Sequence, residues 1–190
     1  MIQSINYEYP SDEIVSFTRY GDSLKMVSKY FQFSKKYLKT PYLSSLKIIT
    51  KSDIPDSYFD IIIYTSNQLG IPTFVLNNDI IRCYTENGIN ENIIDIRNHQ
   101  IQFPKQGFFI VINWKNTESN TSNFIYHRGN KDVKFKGSIV QPMIGTYPSI
   151  LSDTFLLIEK GWMEAQKRES IFEDYKNKYH NLAISLKLSV

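Results

Sequence analysis

The side chains in this sequence that could do chemistry are few and scattered. Ser23 stands in the turn-like stretch Gly21-Asp22-Ser23-Leu24, where its hydroxyl could attack an ester if a histidine served as base. The three histidines, His99, His127 and His180, are spaced too widely for a metal motif. Asp53, Asp56 and Asp60 cluster around one loop and offer hard oxygen ligands, though not in EF-hand order, so they are either calcium ligands or solvated loop carboxylates. Trp162 follows a glycine turn. An exposed indole there could stack on a sugar ring while amide side chains bond the hydroxyls, and Tyr147, Tyr126 and Asn116 lie in segments that could share its rim. The competing reading for Trp162 is packing, because most tryptophan is highly buried. No spacing identifies the carboxylate pair of a glycosidase, and no cofactor-binding pattern is present.

These residues depend on the elements that carry them, and those read as strands. The strongest is Gly107–Trp114, a run of β-branched and aromatic residues that predicts a central strand buried on both faces. Glu13–Tyr20 and Leu24–Phe33 flank Gly21-Asp22-Ser23, which has hairpin-turn chemistry. In the second segment Lys25 and Lys29 read as lying opposite Val27, Phe31 and Phe33, and the period fits neither strand nor helix cleanly. Leu43–Thr50, Tyr58–Thr65, Thr73–Leu76, Asp79–Thr85, Asn92–Arg97 and Gln100–Phe103 are further strand candidates, with Glu86–Glu91 a polar turn.

Phe124–His127 and Val133–Gln141 flank a turn, and Thr154–Glu159 turns at Lys160-Gly161 into Trp162. Pro142, Gly145 and Pro148 predict a long loop. Ser170–Glu173 has a capping-box pattern, followed by Tyr175 and Tyr179 at helical spacing from Ile171, so at most one short helix is expected, near 170–180. Asn181–Val190 alternates Leu182, Ile184, Leu186, Leu188 and Val190 against polar or small residues, as a half-buried strand does. About ten short strands with turn signals between them predict an all-β, jelly-roll-like antiparallel sandwich in one domain over 1–190, with 1–12 as an N-terminal extension.

Composition narrows the function classes. Hydrophobic residues make up 42% and aromatics 14%, with thirteen Tyr and twelve Phe, enough for a core and tilted toward strands. The net charge of +3 comes from 22 basic and 19 acidic residues spread along the chain, without the basic stripe a nucleic-acid partner demands. Cys83 is the single cysteine, sits in an apolar segment, and reads as a buried, inert thiol. No run is long enough to span a membrane as a helix. Met1–Pro10 has neither the basic start nor the apolar core of a signal peptide, so the expectation is a cytoplasmic chain or one that has lost a leader.

Two family resemblances attach to these residues. Gly21-Asp22-Ser23-Leu24 spells the nucleophile block of the GDSL esterases and lipases, which implies an α/β hydrolase acting through Ser23. Asn78-Asp79 lacks the glycine of that family's oxyanion block, and His180 has no aspartate three residues before it. A longer likeness runs through Arg19-Tyr20-Gly21, Phe31, Phe59–Tyr64, Gly70-Ile71-Pro72, Ile93, Asp95 and Ile101-Gln102-Phe103-Pro104. It continues in Gly107-Phe108-Phe109-Ile110, Trp114, Gly161-Trp162 and Asn181-Leu182-Ala183-Ile184. This pattern resembles the C-terminal β-sandwich region of carboxypeptidase-regulatory-like-domain proteins of the Bacteroidota cell envelope. The resemblance implies a non-catalytic accessory or binding module of the periplasm or outer surface, with glycan or an envelope protein as partner, or a structural spacer in a larger assembly. It brings no catalytic residues and no cofactor.

Overall fold

A computed structural model describes residues 5–7, 16–21, 23–76, 79–127, 134–170 and 173–190, without the side chains of 5–7, 126, 127 and 174. The chain forms strands β1 (Ile5–Tyr7), β2 (Ser16–Thr18), β3 (Met26–Phe31), β4 (Tyr42–Ser52), β5 (Ser57–Ser66), β6 (Pro72–Val75), β7 (Ile81–Thr85) and β8 (Gly88–Asp95). They are followed by β9 (Phe108–Trp114), β10 (Thr121–His127), β11 (Lys134–Val140), β12 (Met143–Ser149), β13 (Thr154–Ile158), β14 (Gly161–Glu164), β15 (Tyr179–Leu182) and β16 (Ile184–Ser189). The pairing is antiparallel throughout, and two sheets of seven strands face each other across one core: an all-β sandwich.

Sheet A orders its strands β1-β16-β4-β12-β15, with β2 on β12 and β8 on β4. Sheet B runs β14-β13-β3-β9-β5-β6, with β7 on β5, and β10–β11 form a two-stranded arm paired with neither sheet, its base residue Val140 packed into the core.

Strand β9 lies at the middle of sheet B, between β3 and β5, and is buried on both faces as its sequence predicts. Phe108, Ile110, Ile112 and Trp114 enter the shared core with Val27, Phe31, Phe59, Ile61 and Ile63. Phe109 and Val111 point the other way, yet they are also fully buried and stand outside that cluster. Their cover comes from within the sheet. Phe155 meets Phe109 edge-on at 5.2 Å, and Tyr30 tilts onto it at 4.9 Å. Trp162 and Tyr64, on strands separated by β13, β3 and β9, meet edge-on at 6.3 Å across the same outer face. Burying each such large side chain is worth about 1.5–3 kcal/mol, so double burial of β9 makes it the energetic centre of the fold.

Several elements differ from expectation. Gly21–Leu24 does make a tight turn, with Gly21 N–H donating to Leu24 O and Leu24 N–H to Gly21 O. It is not a hairpin: β2 joins β12 in sheet A and β3 joins β9 and β13 in sheet B, so the turn carries the chain between sheets. Turn chemistry encodes a reversal and not the choice of partner strand. The loop expected across Pro142–Pro148 is instead strand β12, which pairs with β2, β4 and β15. Gly145 permits it, since a Cβ there would come within 3.0 Å of Ile49 Cγ2.

Strand β8 begins at Gly88, inside the expected polar turn, because an edge strand can alternate exposed Ile89 and Ile93 with half-buried Asn90 and Asn92. Near 170–180, where at most one short helix is expected, the described residues form a single 3₁₀ turn, Glu173–Tyr175, and Tyr179 already belongs to β15. Tyr175 and Tyr179 thus do not share a helix, and Ile171 lies outside the described residues. The last decapeptide is two strands, with Ala183 between them bonded to both Gly145 and Ile49. Its alternation breaks down because Ala183 and Ser185 are buried as well.

Candidate functional site

The two sheets part at the edge formed by β13 and β14 in sheet B and by β2, β12 and β15 in sheet A, leaving a cleft of about 230 Å³. Val27, Leu156, Met163 and Leu182 form its apolar wall. The strand register explains this wall, since Val27 pairs with Leu156 and Leu156 with Met163 on the core-facing side of sheet B. Thr18, Thr146, Thr154 and His180 contribute polar groups, and the chain leaving β14 adds Gln166, Lys167 and Arg168. An isolated bridge between Arg168 and Lys178 pins that segment beside β15.

The hydrogen bonds define the state of His180. Thr146 Oγ1 donates its only proton to the Ser16 carbonyl at 3.1 Å. The 2.7 Å contact between the two hydroxyls therefore has Ser16 Oγ as donor, and Ser16 Oγ in turn accepts from His180 Nδ1–H at 3.1 Å. With its proton already given to Thr146, Ser16 is a donor turned away from the imidazole, an arrangement opposite to that of an activated nucleophile. His180 is left with a neutral, accepting Nε2, which is buried and without a partner among the described residues. Burial, and then the nearby Arg168 charge, hold its pKa below the ordinary histidine value. The two other inner hydroxyls differ. Thr154 Oγ1 is saturated, accepting from Leu182 N–H and donating to Asp153, whereas Thr18 Oγ1 makes no hydrogen bond among the described residues.

Behind the cleft wall lies a buried charge. Lys29 is completely inaccessible, on the same core-facing side as Val27 and Phe31 and not opposite them. Its Nζ donates to Leu182 O at 2.8 Å and Tyr147 Oη at 3.0 Å, and stands 3.1 Å from Asp153 Oδ2. Burial raises the Asp153 pKa despite the opposing attraction of Lys29, and burial followed by the Asp153 charge raises that of Tyr147. Asn181 closes the cluster, accepting from Asp153 N–H and donating to Leu151 O. A buried ammonium with three oxygen partners is what the cost of desolvation demands.

The residues singled out from sequence do not converge. Trp162 is half-buried on the outer face of sheet B, edge-on to Tyr64. Tyr147 is nearly inaccessible, and its hydroxyl is turned to Lys29. Asn116 is exposed beyond the end of β9, and Tyr126 lies on the β10 arm with its side chain outside the described residues. The three aspartates also stay apart. Asp53 and Asp56 are exposed, with Asp53 accepting from Gln141, while Asp60 is buried against Arg82 at 2.9 Å and Lys115 at 2.8 Å. Among the described residues no group of three or more His, Cys, Asp or Glu could hold a metal ion.

Ser23 is exposed, Asp22 lies outside the described residues, and no described histidine bonds Ser23. The antiparallel all-β architecture is also not the α/β fold that the GDSL likeness implies. Cys83 is buried and its pKa is pushed up to about 12 by burial. What the sequence reading missed is the set Ser16, Thr18, Arg168 and His180, which joins only through pairing across 130 to 164 residues. No local signal marks it. Comparison with family models, curated proteins and solved structures returns no match.

Proposed function

We propose that this protein is a non-catalytic binding module that takes a small polar ligand, such as the end or a side branch of a glycan, into the cleft between its sheets. The observation that carries this reading is the composition of the cleft: an apolar wall of Val27, Leu156 and Leu182 faces an unpartnered His180 Nε2 and the Thr18 hydroxyl. An apolar surface with a few convergent polar groups is the usual make-up of a ligand site. Orphaned buried polar atoms are uncommon enough that each calls for a partner. The size suits one sugar residue rather than a long chain.

An accessory role at the cell envelope follows from the family resemblance alone. The test is two-dimensional NMR of methyl-labelled protein titrated with soluble polysaccharides and their monosaccharides. Saturable shifts at Val27, Leu156 and Leu182 support the reading; titration confined to other methyls, or none, refutes it.

A second reading, attachment to an envelope protein or assembly, is favoured by the β10–β11 arm. Phe124, Ile125 and Phe135 are 40%, 62% and 39% exposed on a two-stranded sheet that pairs with no strand of the sandwich. A two-stranded ribbon is marginal alone, and apolar side chains on it gain most when a partner covers them. Replacing all three by serine would leave cleft binding intact while removing attachment.

A further inference from the structure

We infer that the ligand of the inter-sheet cleft is a hydroxy-carboxylate: a small anion carrying a hydroxyl near its carboxylate, as in a free hydroxy acid or the uronic-acid residue of a glycan. The inference rests on the binding reading above and adds the charge and donor pattern of the ligand.

Three independent features of the cleft converge on that chemistry. The first is uncompensated positive charge. Lys167 and Arg168 stand at the mouth, and the described residues lining the cleft include no carboxylate. Arg82 and Arg97 are each closed by an aspartate, Asp60 and Asp95, whereas Arg168 has no ion pair among the described residues. A guanidinium presents a planar fork of donors that fits a carboxylate.

The second feature is the tautomer of His180. Because Nδ1–H is committed to Ser16 Oγ, Nε2 offers a lone pair, and an O–H or N–H must answer it. A carboxylate alone supplies no such donor at neutral pH; an adjacent hydroxyl does. The third feature is Thr18 Oγ1, also unbonded among the described residues, which can donate or accept beside the same wall of Val27 and Leu156. One anionic group toward Arg168, one hydroxyl toward His180 and a compact carbon skeleton against the wall satisfy all three.

Isothermal titration of the full chain with glucuronate, glycolate, glucose and acetate tests this, alongside the same titrations of Arg168→Gln and Thr18→Val. Arg168 is exposed, so its replacement leaves the fold intact, which an unchanged circular dichroism melt verifies. The expected result is glucuronate binding at least tenfold more tightly than glucose, with that preference lost in Arg168→Gln and reduced several-fold in Thr18→Val. Glycolate equal to glucuronate, with acetate much weaker, also supports the inference and identifies a free hydroxy acid as the source; glucuronate alone identifies a glycan residue. Equal binding of glucose and glucuronate, indifferent to Arg168→Gln, overturns the inference while leaving the binding reading in place. Acetate as tight as glycolate overturns the hydroxyl requirement. Absence of binding by all four overturns the cleft as a site, and the inference with it.

Discussion

Lys29 Nζ on β3 lies 3.1 Å from Asp153 Oδ2 at the entry to β13, and the two strands are held in register by pairing of Lys29 with Thr154. The ammonium is fully enclosed while the carboxylate keeps a little exposure, 0% against 17%. Removing one partner should therefore cost much more than removing both. Asp153→Ala leaves an enclosed charge with two neutral oxygen partners and is expected to destabilise the fold by about 3–5 kcal/mol. Lys29→Met combined with Asp153→Asn should recover most of that loss. Urea unfolding of the singles and the double is the measurement, and additive losses would show that the pair is not coupled.

Stability should fall on mild acidification because of His180. Burial and the Arg168 charge depress its pKa in the folded state, so the unfolded chain takes up the proton first. The contribution is intact above the unfolded value of about 6.5 and is lost as pH drops from there through the lower folded value. Urea midpoints measured from pH 7.5 to pH 5 should therefore decline in the parent and decline less in His180→Gln. Parallel curves would contradict the assignment.

Trp162→Ala should destabilise the fold although the residue sits on an outer face. Losing the half-buried indole removes its edge-on contact with Tyr64, and a cost of about 1–2 kcal/mol is expected. Tyr64→Ala should cost less on its own, and the two should be non-additive because their rings touch. Denaturant melts of both singles and the double decide it.

Cys83 should be inert in the native protein. Its thiol is buried and its pKa stands at about 12, so almost no thiolate exists at neutral pH. Labelling with a maleimide should proceed only at the rate of unfolding and become complete in denaturant.

Strand content and the central position of β9 were legible because their signal is local: a dense apolar run such as Phe108–Trp114 has few alternatives to double burial. What stayed hidden depends on partners distant in the chain. Val27, Lys29 and Phe31 carry the right period for one face, but a lysine between two apolar residues suggests the opposite side until Asp153 and Tyr147 are brought to it. Pro142, Gly145 and Pro148 spell a loop, yet Gly145 serves to admit Ile49 to the junction of three strands. The cleft could not be read for the same reason. Ser16, Arg168 and His180 are ordinary polar residues in sequence, and only pairing of β2, β12 and β15 makes them neighbours.

The placement of β16 has a kinetic consequence. It lies between β1 and β4, so one strand joins residues 5–7 to residues 42–48, and the joining strand is translated after both of its partners. Sheet B can assemble from β3, β5 and β9 well before residues 184–189 leave the ribosome, whereas the β1–β16–β4 part of sheet A must wait for them. Such widely separated pairings place the chain among slow folders, with the exposed inner face of sheet B as the surface that must be shielded in the interval.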